Sequence, residues 1–331
     1  MHIHILGICG TFMAGIAALA KSQGHQVTGC DQNVYPPMST QLEALGINIT
    51  EGFSAEQIAL NPDIYVIGNV ISRGNPLMEC ILNQGLRYIS GPQWLYENIL
   101  YDKWVLAVAG THGKTTTTAM LTWILEYCGL GPGFLIGGIP NNFNVSARLP
   151  LDNKTNAPSF FVIEADEYDT AFFDKRSKFI HYHPKTLILN NLEFDHADIF
   201  KNLEHIETHF HHLVRTVPSQ GRIIVNQESP ALKTVIDRGC WSEIEYLGSS
   251  AEWDVREEEI YHHQQKQSPL KWELIGRHNY MNALAAIAAA RHVGITTENS
   301  IEALSQFKSV KKRMEKIHTI NGIELFDDFA H

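Results

Sequence analysis

Short apolar runs alternate with amphipathic stretches along the first hundred residues. Runs at 2–6, 26–30, 63–67 and 87–89 are strand-length, and 13–22, 40–45 and 76–83 place apolar side chains at helical spacing between them. That alternation predicts a parallel α/β sheet. A second series starts near Lys103, with strands at 104–109, 160–164, 186–190 and 222–226. A helix over 115–127 carries Met120, Leu121, Ile124 and Leu125 on one face. Further on, 244–247, 253–261 and 269–275 predict a small antiparallel addition, and the alanine-rich stretch 278–293 a helix. Asn321-Gly322 between alternating apolar residues is a strong hairpin signal.

Composition narrows the class. With 331 residues, 44% hydrophobic and 19% charged, the chain has the make-up of a globular protein of two or three domains. A formal charge of −10 argues against a nucleic-acid partner, which calls for a basic stripe. Cys9, Cys30, Cys80, Cys128 and Cys240 are widely spaced with no C-x-x-C, so neither zinc nor a disulfide framework is indicated and a reducing cytoplasm fits best. The apolar start, 5–20, lacks a preceding Lys or Arg and is interrupted by glycines, so it reads as strand, turn and helix rather than a signal peptide. No uninterrupted apolar run approaches the ~18 residues of a membrane span.

The chemistry is concentrated in Val108-Ala-Gly-Thr-His-Gly-Lys-Thr-Thr-Thr117, set between a buried strand and a helix. The first unpaired N–H groups and the dipole of a helix start favour phosphate. Lys114 supplies a cation for the β- and γ-phosphates and the Thr115 hydroxyl a ligand for Mg²⁺. The spacing departs from G-x-x-x-x-G-K-[ST], because Val108 stands at the first position and Gly110 is the first loop glycine. Order of strand, glycines, lysine, hydroxyls and helix nonetheless points to a nucleoside triphosphate.

Gly7-Ile-Cys-Gly10-Thr11 opens the first predicted helix, and Asp31 ends the second strand where dinucleotide folds hold a ribose. Cys9 occupies the second glycine position of G-x-G-x-x-G, so the fingerprint is partial; a diphosphate is still expected on that helix start. Glu164 and Asn191 fall at the carboxyl ends of strands, where open parallel sheets keep ligands. Thr115, Glu164 and His196 form an oxygen-rich set with one imidazole, suited to Mg²⁺ or Mn²⁺, and Asp195 and Asp198 flank the histidine. His205, His209 and His212 recur at helical spacing, which by itself reads as a helix face; Glu257-Glu-Glu259 reads as solvated surface.

Taken together, Gly110-Thr-His-Gly-Lys-Thr-Thr116, Glu164-Ala-Asp-Glu167, Asn191 through Asp195-His196, Gly276-Arg-His-Asn-Tyr-Met-Asn282 and Arg313 resemble the Mur ligases, ATP-dependent amide-forming enzymes of peptidoglycan synthesis. Within them, Gly7-Ile-Cys-Gly-Thr-Phe-Met13 and Val34-Tyr-Pro-Pro-Met-Ser-Thr40 look most like the recycling branch, which joins UDP-N-acetylmuramate to the murein tripeptide L-alanyl-γ-D-glutamyl-meso-diaminopimelate. The neighbouring branch adds L-alanine. The resemblance implies three domains: a Rossmann-like UDP-sugar domain over 1–102, a central P-loop ATPase domain over 103–312, and a C-terminal Rossmann-like domain of which only a linker and first hairpin, 313–331, are expected here. The chain is therefore expected to be an inactive or very weak fragment.

The resemblance carries Asn279 and Asn282 to adenine-side or helix-anchoring roles, Arg313 to the phosphates and Asp328 to the ribose. It implies UDP-sugar contacts from Gly7, Gly10, Thr11, Phe12, Asp31 and Ser72, with His112 and Asn191 from the second domain. Catalysis would rest on Lys114, Glu164, His196 and Arg313. One departure is visible: several Mur ligases carry a carbamylated lysine about fourteen residues after the histidine matching His196, and here Phe210 stands there. Two other readings remain at this point. A nicotinamide-dependent dehydrogenase would use Gly7, Gly10 and Asp31 but leaves the Lys114 loop without a role, and a nucleotide-sensing module would bind without turnover.

Overall fold

The computed structural model describes residues 1–36, 38–151, 158–194, 200–311, 315–320 and 323–328. The chain forms two compact units: Met1–Lys103 with Ala147–Leu149 and Asp166–His183, and Trp104–Ser146 with Pro150–Ala165 and Pro184–His331. The architecture is mixed α/β with parallel sheets, as expected. No helix among the described residues is long and apolar enough to cross a membrane.

In the first unit, five parallel strands lie in the order Asn48–Glu51, Gln26–Asp31, His2–Leu6, Ile64–Ile67, Tyr88–Ser90. Ile3, Ile5 and Leu6 of the central strand have no exposed surface, as a strand covered on both faces demands. Strand order reverses between His2–Leu6 and Ile64–Ile67, so a crevice opens at the carboxyl end of His2–Leu6. There Gly7 turns at φ +79°, and a Cβ on it would come within 2.9 Å of Val70 Cγ2. The helix Thr11–Ser22 follows and buries Met13, Ile16, Ala17, Leu19 and Ala20.

The second unit's larger sheet runs Glu243–Leu247, Arg222–Asn226, Thr186–Leu189, Trp104–Ala109, Phe160–Ala165, Gly133–Leu135, all parallel. Its core closes over the helices Lys114–Tyr127 and Arg277–His292. Ala283, Ala285, Ala286 and Ala288–Ala290 are fully buried, because their small side chains let that second helix approach closely. Helix Thr297–Leu304 packs alongside, and Trp123 Nε1 donates to the Ala303 carbonyl at 2.7 Å.

The antiparallel addition is partly as expected: 253–261 pairs antiparallel, while 244–247 and 269–275 are corrected. The strand Glu243–Leu247 extends the parallel sheet beside Arg222–Asn226. Its burial alternates toward the sheet's end, which is why its pattern reads as antiparallel. The run 253–261 is two strands, Trp253–Arg256 and Glu259–His262, joined by Glu257 and Glu258 at φ 49° and 66°. Both turn residues are left-handed, the two-residue hairpin geometry that glycine and asparagine normally supply. His263 and Gln264 (φ 47° and 65°) repeat it before Gln265–Lys266. The stretch 269–275 forms no strand: Leu270, Trp272 and Leu274 alternate because irregular chain packs against the core. Near the C-terminus, Glu315–Ile320 and Ile323–Asp327 pair antiparallel, while the turn residues Asn321 and Gly322 lie outside the described residues.

Candidate functional site

The strand Trp104–Ala109 delivers the chain to Gly110 (φ +152°), and Gly113 (φ +77°) caps the helix Lys114–Tyr127. Both glycines are required by position. A Cβ on Gly110 would lie 3.2 Å from Asn190 Cβ and from the Asn191 backbone; on Gly113 it would lie 2.7 Å from Asn282 Oδ1. Asn191 clamps the loop from both sides, accepting the His112 N–H at 2.7 Å and donating to the His112 carbonyl at 2.9 Å, while its own carbonyl takes the Thr111 N–H at 3.1 Å. The Thr111 hydroxyl accepts the Glu193 N–H at 2.9 Å. Asn190 donates to Asn282 Oδ1 at 2.8 Å behind the loop. These bonds tie the loop in place from several directions, and the first N–H groups of a helix are the ones left without intrahelical partners.

Lys114 is only 9% exposed, and its ammonium folds back onto the Gly110 carbonyl at 2.8 Å. It therefore lies across the turn whose amides form the cradle. The Thr115 hydroxyl donates to Glu164 Oε1 at 2.9 Å, and Glu164 Oε2 accepts the Gly137 N–H at 2.7 Å. Thr116 is half-buried on the next helical position. Gly137 escaped the sequence reading, although a Cβ there would press within 2.9 Å of Glu164 Oε2; the Gly137-Gly138 pair after a buried strand was the available signal. Asn190 was missed as well, since only the folded contact with Asn282 reveals its part.

The structure brings together Gly110, Thr111, His112, Gly113, Lys114, Thr115, Glu164, Asn191 and Asn282. Asn279 sits one turn earlier on the helix Arg277–His292, where its Nδ2 donates to the Ile275 carbonyl at 2.8 Å and fastens the helix start. Arg277 secures the same end through a bidentate pair with Glu228 at 2.6 and 2.7 Å. That hydrogen-bonded guanidinium holds the Glu228 carboxyl down at about 2. His196 and Arg313, with Asp195 and Asp198, lie outside the described residues. Asp328 is exposed just after Ile323–Asp327.

In the first unit, Gly7 and Ile8 give their N–H groups to the Cys30 carbonyl at 2.8 and 3.2 Å, and Cys9 gives its own to Asp31 Oδ2 at 2.9 Å. Asp31 thus shapes the turn itself. Burial, with Asp31's charge adding to it, pushes the Cys9 thiol up to about 11, which disfavours the reactive thiolate. Gly10 and Thr11 are exposed at the helix start, Phe12 is half-buried, and Ser72 is exposed in the loop after Ile64–Ile67.

The histidine series lies on the helix Leu203–Val214. The rings of His205 and His209 meet edge-on against Phe200, with Nε2 atoms 3.3 Å apart. Among the described residues no cluster of three metal-capable side chains occurs. Phe210 is fully buried in that helix, so its position is given to the core.

Fold and loop together define an ATP-dependent enzyme built on parallel α/β sheets. The chain belongs to the Mur ligase family: residues 2–102 match the family's catalytic domain and residues 108–290 the Mur ligase middle domain. It is 55% identical to the UDP-N-acetylmuramate–L-alanyl-gamma-D-glutamyl-meso-2,6-diaminoheptandioate ligase of Escherichia coli (strain K12), a match covering 100% of this chain and 73% of that protein. The crystal structure of UDP-N-acetylmuramate:L-alanyl-gamma-D-glutamyl-meso-diaminopimelate ligase from Neisseria meningitides superposes with a TM-score of 0.90 at 59% identity, covering 94% of this chain and 99% of that one. The UDP-N-acetylmuramate–L-alanine ligase of Renibacterium salmoninarum is more distant, at 32% identity over 99% of this chain and 70% of that protein. The protein is accordingly a ligase that forms a C–N bond at the expense of ATP, and the dehydrogenase and sensor readings fall away.

Proposed function

We propose that this enzyme joins the lactyl carboxylate of UDP-N-acetylmuramate to the free amine of the tripeptide L-alanyl-γ-D-glutamyl-meso-diaminopimelate, in the cytoplasm, as a step of cell-wall recycling. The observation that carries the reading is the 55% identity, along the whole of this chain, to the Escherichia coli ligase named for those substrates. The L-alanine-adding alternative rests on relatives near 30% identity and has no feature of its own here in its favour.

A carboxylate does not accept an amine, because its oxygen is a poor leaving group. In this reading it attacks the γ-phosphorus of ATP, and the bond to the bridging oxygen breaks to release ADP. The acyl phosphate so formed is then attacked by the amine, which loses a proton, and inorganic phosphate departs from the tetrahedral intermediate. The Gly110–Thr116 loop takes the triphosphate, its amides and Lys114 meeting the charge that builds on the transferred group. Lys114 must swing from the Gly110 carbonyl to do so, a small movement for a long side chain. Arg313 serves the phosphates, Asp328 the ribose, and Asn282 holds the loop through Asn190.

Thr115 and Glu164 offer hard oxygen donors of the kind Mg²⁺ accepts, and with His196 they would hold that ion. When bound it neutralises phosphoryl oxygens. Gly7, Gly10, Thr11, Phe12, Asp31 and Ser72 serve the UDP-sugar in the first unit. The test is ADP release by the full-length protein. It is expected to require UDP-N-acetylmuramate and the tripeptide together; release with L-alanine in place of the tripeptide, at equal or greater efficiency, would move the enzyme to the alanine-adding branch.

A further inference from the structure

Lys178 follows the strand Asp174–Ser177 and is 7% exposed. Its neighbours in sequence are neutralised: Lys175 pairs with Asp169 at 2.8 Å and Arg176 with Asp174 at 2.7 Å. Lys178 is not. Its backbone N–H bonds the Tyr168 carbonyl at 2.9 Å, but among the described residues its ammonium meets no carboxylate and no hydrogen-bond acceptor. It lies instead 5.0 Å from the ring of Phe12 and 5.5 Å from that of Tyr168. Ring faces attract a cation but accept none of the three N–H bonds an ammonium can make, so that hydrogen-bonding capacity is left for solvent or a ligand.

Phe12 is the second residue of the helix Thr11–Ser22. That helix opens at the strand-order reversal of its sheet, on Gly10, with no side chain capping it and no acidic residue in its first turn. The unpaired amides at the helix start and the unpaired ammonium of a largely buried lysine therefore have Phe12 as a common neighbour within the first unit. Both are completed by the same partner, an anion with several oxygen acceptors. We propose that Lys178 is a binding residue for the diphosphate of the sugar nucleotide, closing over it together with the amides of the Thr11 helix. This rests on the reading of the first unit as the UDP-sugar domain and adds to it a residue from a distant stretch of chain.

The test compares wild-type protein with Lys178→Met and Lys178→Arg by calorimetric titration and thermal unfolding. Lys178→Met is expected to weaken UDP and UDP-N-acetylmuramate alike by about tenfold or more, the size of a charged hydrogen bond lost, and Lys178→Arg to hold affinity within a few-fold. Without ligand, Lys178→Met should unfold at about the same temperature, since an apolar chain of similar length keeps the packing and no ion pair or side-chain hydrogen bond is lost; with UDP it should be protected less than wild type. A merely structural lysine would instead lower the unfolding temperature of Lys178→Met with and without UDP and leave affinity unchanged, which overturns the proposal while the domain reading stands. Loss of UDP-N-acetylmuramate affinity with UDP and UDP-N-acetylglucosamine unaffected would assign Lys178 to the lactyl carboxylate and overturn it too. If wild-type protein binds none of these nucleotides, the reading of the domain fails with it.

Discussion

Asn190 and Asn282, 3% and 5% exposed, share a 2.8 Å hydrogen bond behind Gly113. It ties the end of the strand Thr186–Leu189 to the helix Arg277–His292 and leaves no room in front of either amide. Gly113→Ala would force a Cβ to 2.7 Å from Asn282 Oδ1 at φ +77°. The expected cost is about 1–3 kcal/mol of stability, with binding of a nonhydrolysable ATP analogue weakened tenfold or more. In an Asn282→Ala background the steric part of that cost should shrink. Equal costs in both backgrounds, measured by urea unfolding, would show that the contact is not what limits position 113.

Lys114→Ala should leave the fold in place, because Asn191 holds the loop independently of the lysine through both backbone groups of His112. Affinity for the ATP analogue is expected to fall by about tenfold or more, as for loss of a charged phosphate contact. An unchanged titration curve would place the triphosphate somewhere else.

Glu164→Gln separates charge from shape. The Gln oxygen can still take the Gly137 N–H, and the Thr115 hydroxyl can rotate to accept, so unfolding is expected to change by about 1 kcal/mol or less. The carboxylate's attraction for a divalent ion is lost, so the magnesium concentration needed for half-maximal ATP-analogue binding should rise severalfold. Identical magnesium dependence in the two proteins would remove Glu164 from the metal set.

His4 gives the first unit a pH response. It is fully buried in the strand His2–Leu6, its Nδ1 2.8 Å from the Thr28 hydroxyl, and burial, with the nearby His2 charge adding to it and Gln57 opposing, lowers its pKa from 6.5 to about 4. The unfolded chain takes up a proton near 6.5 and the folded one only near 4. This contribution to stability is thus complete above 6.5 and is lost progressively as pH falls toward 4, by about 3 kcal/mol at 1.36 kcal/mol per unit. His4→Gln, which cannot titrate, should show a shallower loss over that window in denaturant unfolding. Parallel curves would falsify the assignment.

The Glu228–Arg277 pair acts in more acidic solution. Arg277's hydrogen bonds depress Glu228 from 4.5 to about 2, so the pair's stabilisation is present above 4.5 and disappears as pH falls through about 2. Arg277 is half-exposed, and solvent screening limits the effect to about 1 kcal/mol. Arg277→Met should be less stable than wild type at pH 7 and indistinguishable from it near pH 2, by thermal unfolding in matched buffers.

Much of this was legible in the chain. Strands such as His2–Leu6, Trp104–Ala109 and Arg222–Asn226 are short runs buried in their sheets, and such runs advertise themselves. The loop at Gly110–Thr115 was readable because lysine, hydroxyl and glycines act within a few residues of one another. Glu257 and Glu258 misled because they adopt a turn whose usual residues they are not, and 269–275 because its alternation comes from packing rather than from a ladder. Asn190, Gly137 and Lys178 do their part across gaps of tens to well over a hundred residues, to Asn282, Glu164 and Phe12, and no local pattern encodes a partner so far away.

The first unit is assembled from three separate lengths of chain, Met1–Lys103, Ala147–Leu149 and Asp166–His183. A gene fragment ending at Lys103 would therefore omit Tyr168 and Lys178, and would not reproduce the module it looks like on paper. Shuffling or circular permutation at that apparent seam would cut the module's wall away with its neighbour, so the two units are expected to have been inherited together rather than exchanged as interchangeable parts.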